Sequence, residues 1–299
     1  MTSLPETLPD FSRTYQERGL TAGLIRQFQE IIYDYYATQG RDLPWRRTHD
    51  PYAILVSEIM LQQTQVERVV AWYEPFLQRF PGFQDLAQAS LGEILQVWQG
   101  LGYNRRAQAL QRLAQQVVQD YGGQLPAQRS SLESLPGIGA ATAGALLAFA
   151  FAQPVVFVET NIRRVFLHFF YPGIEGVTDK MLAPLIFMTL DAQRVRPWYY
   201  ALMDYGAMLK KVVDNPNRRS AHYQRQTPFA GSDRELRSRI LRCFLKQPDW
   251  AEAALLTELG TEPARSRRLL QQLVREKFLL QEHDRYRLAT GQEESAWRE

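Results

Sequence analysis

Cysteine is almost missing from this chain, with Cys243 the single one in 299 residues. One thiol cannot close an intramolecular disulfide or supply the several thiolates of an iron-sulfur or zinc cluster, so neither device is expected to organise the fold. Cys243 falls in an apolar and basic stretch of helical period, where a small buried thiol is the ordinary reading. The four histidines, His49, His168, His222 and His283, are scattered and show no metal-ligand spacing. Long hydrophobic runs are also scarce. The longest, Ala143 to Ala152, is about half of the roughly 20 residues that a membrane span needs, and the polar first twenty residues offer no signal-peptide core. A membrane partner is therefore not expected, and the expected location is cytoplasmic.

Charge of one sign is not in excess either. Lys and Arg total 35 against 32 Asp and Glu, a net charge of +3, so any polyanion site has to come from local clustering. Strand-like alternation is nearly absent before the last sixty residues. Apolar residues instead recur at helical spacing over Leu24 to Thr38, Ile54 to Phe80, Leu86 to Trp98, Arg105 to Tyr121, Ala140 to Phe151, Ile162 to Tyr171, Met181 to Leu190 and Trp198 to Lys210. Turn signals such as Phe80-Pro81-Gly82, Gly122-Gly123 and Pro172-Gly173 separate them. The fold class that follows is all-α.

The composition predicts an N-terminal tail over 1–20, a helical domain over 21–211, a basic linker over 212–232 and a second module over 233–289, with a polar tail at 290–299. In the second module the pattern predicts helices at Glu235 to Leu245, Ala251 to Leu259 and Glu262 to Lys277. The alternating pair Leu279-Leu280-Gln281-Glu282 and Arg285-Tyr286-Arg287-Leu288 predicts a hairpin turning at His283-Asp284. Three helices and a terminal hairpin resemble a winged helix.

Three segments carry chemistry. Leu135-Pro136-Gly137-Ile138-Gly139 is a glycine turn between helical patterns, and Ala140-Ala141-Thr142-Ala143 after it suits a first helical turn whose free N–H groups can face a phosphate. About twenty residues later comes Val158-Glu159-Thr160-Asn161-Ile162-Arg163-Arg164-Val165. Earlier stands Ser57-Glu58-Ile59-Met60-Leu61-Gln62-Gln63-Thr64-Gln65-Val66, followed by Gly100-Leu101-Gly102-Tyr103. Alone, the turn suits any tight helix-helix connection, Glu58 a solvated helix residue, Glu159 a surface or capping residue, and Tyr103 a loop aromatic over the core.

In this order, and with Met203-Asp204-Tyr205-Gly206-Ala207-Met208 behind them, the segments resemble the helix-hairpin-helix DNA glycosylases of the endonuclease III superfamily, most closely the MutY adenine glycosylases, over roughly residues 25 to 210. The resemblance implies a two-lobed helix-hairpin-helix glycosylase core with a C-terminal winged-helix-like domain, acting as a monomer on double-stranded DNA that contains a mismatched or damaged base. It implies that Glu58 is the acid that protonates a leaving purine and Glu159 the carboxylate beneath the sugar, the two-carboxylate logic of glycoside cleavage. Trp45, Arg46, Asn161 and Asp204 are implied as base-pocket residues. Gln62, Gln63, Thr64 and Tyr103, with Leu135, Gly137, Gly139 and Ala141 of the hairpin, are implied as DNA contacts.

Two departures stand out. The family aspartate is Glu159 here, one methylene longer, and the four cysteines of the family's iron-sulfur cluster are absent, so no cofactor is expected beyond a monovalent cation that hairpin carbonyls would hold. Ala141 stands where bifunctional relatives carry a lysine, which implies hydrolysis without lyase chemistry. Adenine is the leading target. A glycosylase for another damaged base, or a protein that binds distorted DNA without catalysis, stays open at this point. The basic residues Lys210, Lys211, Arg218, Arg219 and Arg225, and Arg265, Arg267 and Arg268 of the last module, suit either phosphate contact or solvation. The last module is expected to add affinity without reading the opposite base.

Overall fold

The computed structural model describes residues 10–225 and 228–289. Its helices, in chain order, are α1 (Phe11–Arg18), α2 (Ala22–Gln39), α3 (Pro51–Leu61), α4 (Val66–Arg79), α5 (Phe83–Gln88), α6 (Leu91–Val97), α7 (Arg105–Tyr121), α8 (Arg129–Glu133), α9 (Ala140–Phe149), α10 (Thr160–Phe170), α11 (Asp179–Thr189), α12 (Val195–Val212), α13 (Asp233–Lys246), α14 (Glu252–Leu259) and α15 (Pro263–Arg275). Strands β1 (Asp249–Ala251), β2 (Leu279–Glu282) and β3 (Arg285–Leu288) form one small antiparallel sheet in the order β1-β3-β2. The chain divides into two compact units. The first holds the residues up to Glu58, Pro126–Ser134 and Ile138–Arg225; the second holds Ile59–Leu125, Leu135–Gly137 and the described residues after 227.

The first unit is built on α10 against α12. Phe28, Phe166 and Trp198 are fully buried, and the Phe28 ring meets the Phe166 and Trp198 rings at 5.4 and 5.9 Å. Gly206 lets the two helices come close, since a Cβ there would stand 2.4 Å from the Asn161 carbonyl oxygen. The segment expected as an N-terminal tail contributes α1, because Asp10 caps its first turn and Phe11 is buried with its ring 5.1 Å from Phe169. A single phenylalanine among mostly polar and charged residues was too weak a signal to show this. Part of the expected linker is likewise packed rather than extended. Asn217 and Ser220 are buried, Asn217 donates from Nδ2 to the Thr160 carbonyl at 2.9 Å, and Ser220 bridges to Val177.

The second unit joins α4–α7 to the C-terminal module. The expected long helix over 54–80 is two, α3 and α4, parted at Gln62–Gln65 with Gln63 at φ 55°. The expected helix over 86–98 also breaks, because Ser90 and Glu93 form a reciprocal capping box that starts α6. In the C-terminal module the three helices and the β2–β3 hairpin match their sequence pattern; β1, only three residues long, was not legible. Leu280 pairs with Arg287 and Trp250 with Tyr286. The module does not stand apart as an appendage. Gly92 leaves room where a Cβ would lie 2.9 Å from Leu288, and Gln108 donates to the Glu276 carbonyl at 2.9 Å. The expected tail 290–299 and the first nine residues lie outside the described residues.

Candidate active site

Glu58 sits on α3 among Ile54, Leu55, Ile59 and Met60, all buried. Half-buried itself, it gains no compensating hydrogen bond that would favour its ionised form, and burial pushes its carboxyl from near 4.5 up to about 8. The negative charge of Glu159 adds to the rise and the Arg46 guanidinium opposes it. A carboxyl with this value is protonated at neutral pH.

Glu159 is the N-cap of α10. Its Oε1 accepts from the backbone N–H groups of Asn161 at 2.6 Å and Ile162 at 2.7 Å, and Oε2 accepts from Asn161 Nδ2 at 3.3 Å. The two backbone bonds occupy one oxygen and leave the other less committed. Burial raises its titration above the usual carboxylate range, and the two N–H groups and the charges of Arg164 and Arg163 offset only part of the rise. Sequence reading missed Arg164. This buried guanidinium donates from Nη1 to Asn161 Oδ1 at 2.7 Å and to the Gly206 carbonyl at 2.6 Å, so it fixes the amide that in turn touches Glu159.

Arg46 and Asp204 are joined by two bonds, Nη1 to Oδ2 at 2.8 Å and Nη2 to Oδ1 at 2.7 Å, with Arg41 adding its backbone N–H and Nε. Burial pushes the Asp204 carboxyl up, but Arg46 and Arg41 outweigh it and hold it below the usual carboxylate range. The Arg46 and Asp204 side chains are 7% and 1% exposed, so this pair braces the interior of the first unit. The Arg46 guanidinium covers the Tyr200 ring at 4.5 Å, and Trp45 is buried in the short 3-10 turn Pro44–Arg46. Tyr200, which also feels the Glu58 charge, had no signal in the sequence.

In the second unit the two expected DNA-facing loops share one organiser that sequence reading also missed. Arg106 donates from Nη1 to the carbonyls of Ile59, Met60 and Gln62, and from Nη2 to Thr64 Oγ1 and the carbonyls of Leu101 and Gly102, all between 2.6 and 3.1 Å. This ties the Gln62-Gln63-Thr64 turn to the Gly100–Tyr103 turn. Burial lowers the Arg106 guanidinium to about 10, still charged at neutral pH. Gln63 is exposed, and Tyr103 takes a left-handed backbone at φ 47°.

At the hairpin, Leu135 is buried, Gly137 has φ 81°, and Gln62 donates to its carbonyl at 3.3 Å. Gly139 is the extended N-cap of α9 without a side-chain cap, and Gly139, Ala140 and Ala141 are exposed. The first N–H groups of α9 therefore face outward at the positive end of the helix. Ala141 brings no amine there.

The HhH-GPD superfamily of base excision DNA repair proteins matches the chain over residues 56–180. An adenine DNA glycosylase of Mycolicibacterium smegmatis is 33% identical over 70% of this chain and 78% of its own length. The chain belongs to the HhH-GPD superfamily. A human adenine DNA glycosylase is 37% identical over 61% of this chain and 36% of its own length. The solved structure of a thermostable thymine-DNA glycosylase, 31% identical, covers 62% of this chain and 86% of its own with a TM-score of 0.56. Of several relatives the chain spans only between 36% and 54% of the length. The HhH-GPD match contains Glu58, Glu159, the hairpin and Tyr103; Trp45, Arg46 and Asp204 lie outside it.

Proposed function

We propose that the protein is a monofunctional DNA glycosylase of base excision repair, which flips a mismatched or damaged base out of duplex DNA and hydrolyses its N-glycosidic bond to leave an abasic site. The observation that carries this reading is the pair of Glu58 and Glu159, two half-buried carboxyls within electrostatic reach of one another. Glu58, protonated at neutral pH, supplies a proton to the departing base. Glu159, held by helix-terminal N–H groups, offers its second oxygen to the positive charge that develops on the sugar. The exposed start of α9 suits a phosphate of the flipped nucleotide, Gln63 suits the space that the nucleotide leaves, and Tyr103 suits insertion beside the base opposite the target.

Adenine is the base this arrangement favours, because a protonated carboxyl suits the N7 acceptor of a purine, and the adenine DNA glycosylases among the relatives support it. Glu159 in place of the family aspartate and the 31% likeness to a thymine-DNA glycosylase favour a second reading, another damaged or mismatched base in the same pocket. We further propose that the chain works as a cytoplasmic monomer without an iron-sulfur cluster, since one cysteine cannot supply its ligands. A monovalent cation at the hairpin would be held by backbone carbonyls of residues 135–139 and would add positive charge toward the phosphate.

The deciding experiment is single-turnover cleavage of duplexes that carry adenine, uracil, thymine, hypoxanthine or an alkylated purine, each opposite guanine, 8-oxoguanine and cytosine. Release of adenine above all others supports the first reading and release of another base the second. Tight binding to every distorted duplex with release from none would make the protein a binder and overturn both.

A further inference from the structure

Within the second unit the C-terminal module reaches the residue that the proposed function uses as a wedge. Arg234, in the first turn of α13, donates from Nη1 to the Tyr103 hydroxyl at 2.6 Å, and its guanidinium carbon lies 5.7 Å from the ring centroid. Arg106 stands 5.5 Å from the same centroid, so two guanidinium groups lie within cation–π reach of the ring. The backbone at Tyr103 is left-handed, a conformation that a bulky residue adopts only where its surroundings enforce it. Arg106 holds that turn through the carbonyls of Leu101 and Gly102, and Arg234 holds the ring at its hydroxyl.

Arg234 is itself held in place, because the module is anchored on both sides of it. Glu276 accepts from Arg105 Nε at 3.0 Å and from Arg237 Nη2 at 2.5 Å, and Gln108 donates to the carbonyls of Glu276 at 2.9 Å and Lys277 at 3.3 Å. The arginines that the sequence offered as phosphate contacts are engaged inside the module. Arg265 and Arg268 pair with Asp233, and Arg267 pairs with Glu252. A role confined to added affinity, the expectation from sequence, leaves the Arg234–Tyr103 bond without a purpose.

We infer that Arg234 is a positioning residue for Tyr103: the C-terminal module fixes the tilt of the phenol ring that enters the duplex beside the base opposite the target, and thereby sets discrimination among opposite bases. This rests on the proposed function, in which Tyr103 is the inserted side chain. A ring tethered at its hydroxyl enters the stack in one orientation, so the fit to a given opposite base is decided before contact and less rotamer freedom is lost on binding. The module acts on specificity through the wedge, without itself touching a base.

The test uses the full chain with Arg234→Ala, Arg234→Lys, Tyr103→Phe and the Arg234→Ala/Tyr103→Phe pair, measuring single-turnover base release opposite guanine, 8-oxoguanine and cytosine. Arg234→Ala should change the ratio of rates between opposite bases by about tenfold, Tyr103→Phe by a similar factor, and the pair by no more than either alone. Arg234→Lys keeps the charge without the planar fork and should restore salt-dependent affinity but not the ratio. Equal slowing on all duplexes with rescue by lysine would make Arg234 a phosphate contact and overturn the inference, as would multiplicative effects in the pair. Should the wild type release none of the bases, the functional reading fails separately. The wedge is then read by 2-aminopurine placed opposite a tetrahydrofuran abasic analogue, whose fluorescence change on binding should shrink in Arg234→Ala and in Tyr103→Phe. An unchanged signal in Arg234→Ala beside a reduced one in Tyr103→Phe refutes the coupling.

Discussion

Raising the pH across neutrality titrates Glu58, and the structure gives that titration two readable consequences of opposite use. The carboxyl is pushed from near 4.5 up to about 8 by burial and by the Glu159 charge. Because the folded protein binds this proton more tightly than the unfolded chain, stability contributed by the site is full below pH 4.5 and falls as pH rises toward 8, after which it is constant. At about 1.4 kcal/mol for each tenfold change, the rise corresponds to about 5 kcal/mol, and water reaching the half-buried side chain reduces this to about 2–3 kcal/mol. Glu58→Gln removes the titration and keeps the shape. Urea melts at pH 5, 7 and 9 should therefore show the variant gaining on the wild type by about 2–3 kcal/mol between pH 5 and 9, with an unchanged denaturant slope. Base release should move the other way. The variant loses its proton donor and falls by about 10²–10⁴-fold, while wild-type release declines above pH 8 as the donor ionises. A stability gap that is flat with pH, or release by the variant near the wild-type rate, would refute the assignment of the proton to Glu58.

Glu159→Gln should bind target duplex normally but release base about 10²–10³-fold more slowly, and Glu159→Asp, a good N-cap that falls about one methylene short, should leave thermal stability nearly unchanged while slowing release by at least about tenfold. Both are read by single-turnover kinetics beside thermal melts. With alanine at position 141, product strands should stay intact until treated with hot alkali, and borohydride should trap no covalent complex; a strong trapped band would mean that another amine attacks the sugar. Glu276→Ala should cost about 1–3 kcal/mol in a urea melt, since Arg105 and Arg237 lose a shared partner. Burial pushes the Glu276 carboxyl up, but hydrogen bonds from these two arginines hold it below the usual range, so its contribution is present at neutral pH and lost as pH falls through the lowered value; an acid-side melt that matches the variant's checks it.

Helical periodicity was legible wherever one face is apolar for three turns, and α7 keeps the bounds that its pattern predicts. What the period could not show was interruption. The Gln62–Gln65 break is made by Arg106, whose six bonds are to groups up to forty-seven residues away, and no local pattern encodes such a partner. The Ser90–Glu93 capping box, by contrast, was a local signal that an unbroken apolar period obscured. At the site, it was the family resemblance that singled out Glu58 and Glu159; alone, the two carboxyls read as a solvated helix residue and a capping residue. Their supports were not conspicuous. Arg164, Tyr200 and Arg234 look like any surface cation or core aromatic until the chain is folded, and the inward turn of Arg46 and Asp204 depends on a pairing across 158 residues.

Two carboxyls in one low-dielectric site would ordinarily share a single proton, and the proposed reaction needs that proton on one particular member. The structure breaks the symmetry by what each oxygen touches. Glu58 lies along α3 with buried aliphatic neighbours, and nothing nearby favours its charge except Arg46, whose guanidinium is already committed to Asp204. Glu159 lies across the start of α10, where two backbone donors and the positive end of the helix favour its charge against burial. The cap role that an ordinary helix-start glutamate would have thus offsets part of what burial costs the Glu159 charge, an offset that Glu58 does not receive from backbone donors. The longer side chain fits this double use: one oxygen reaches both N–H groups, the other turns to Asn161 Nδ2, a bond long enough at 3.3 Å to yield to a developing cation. An aspartate at 159 would cap as well but set its free oxygen nearer the helix. Where Glu159 stands is therefore set by Arg164 and Gly206 as well as by its own length, since they fix Asn161 and the close approach of α10 to α12.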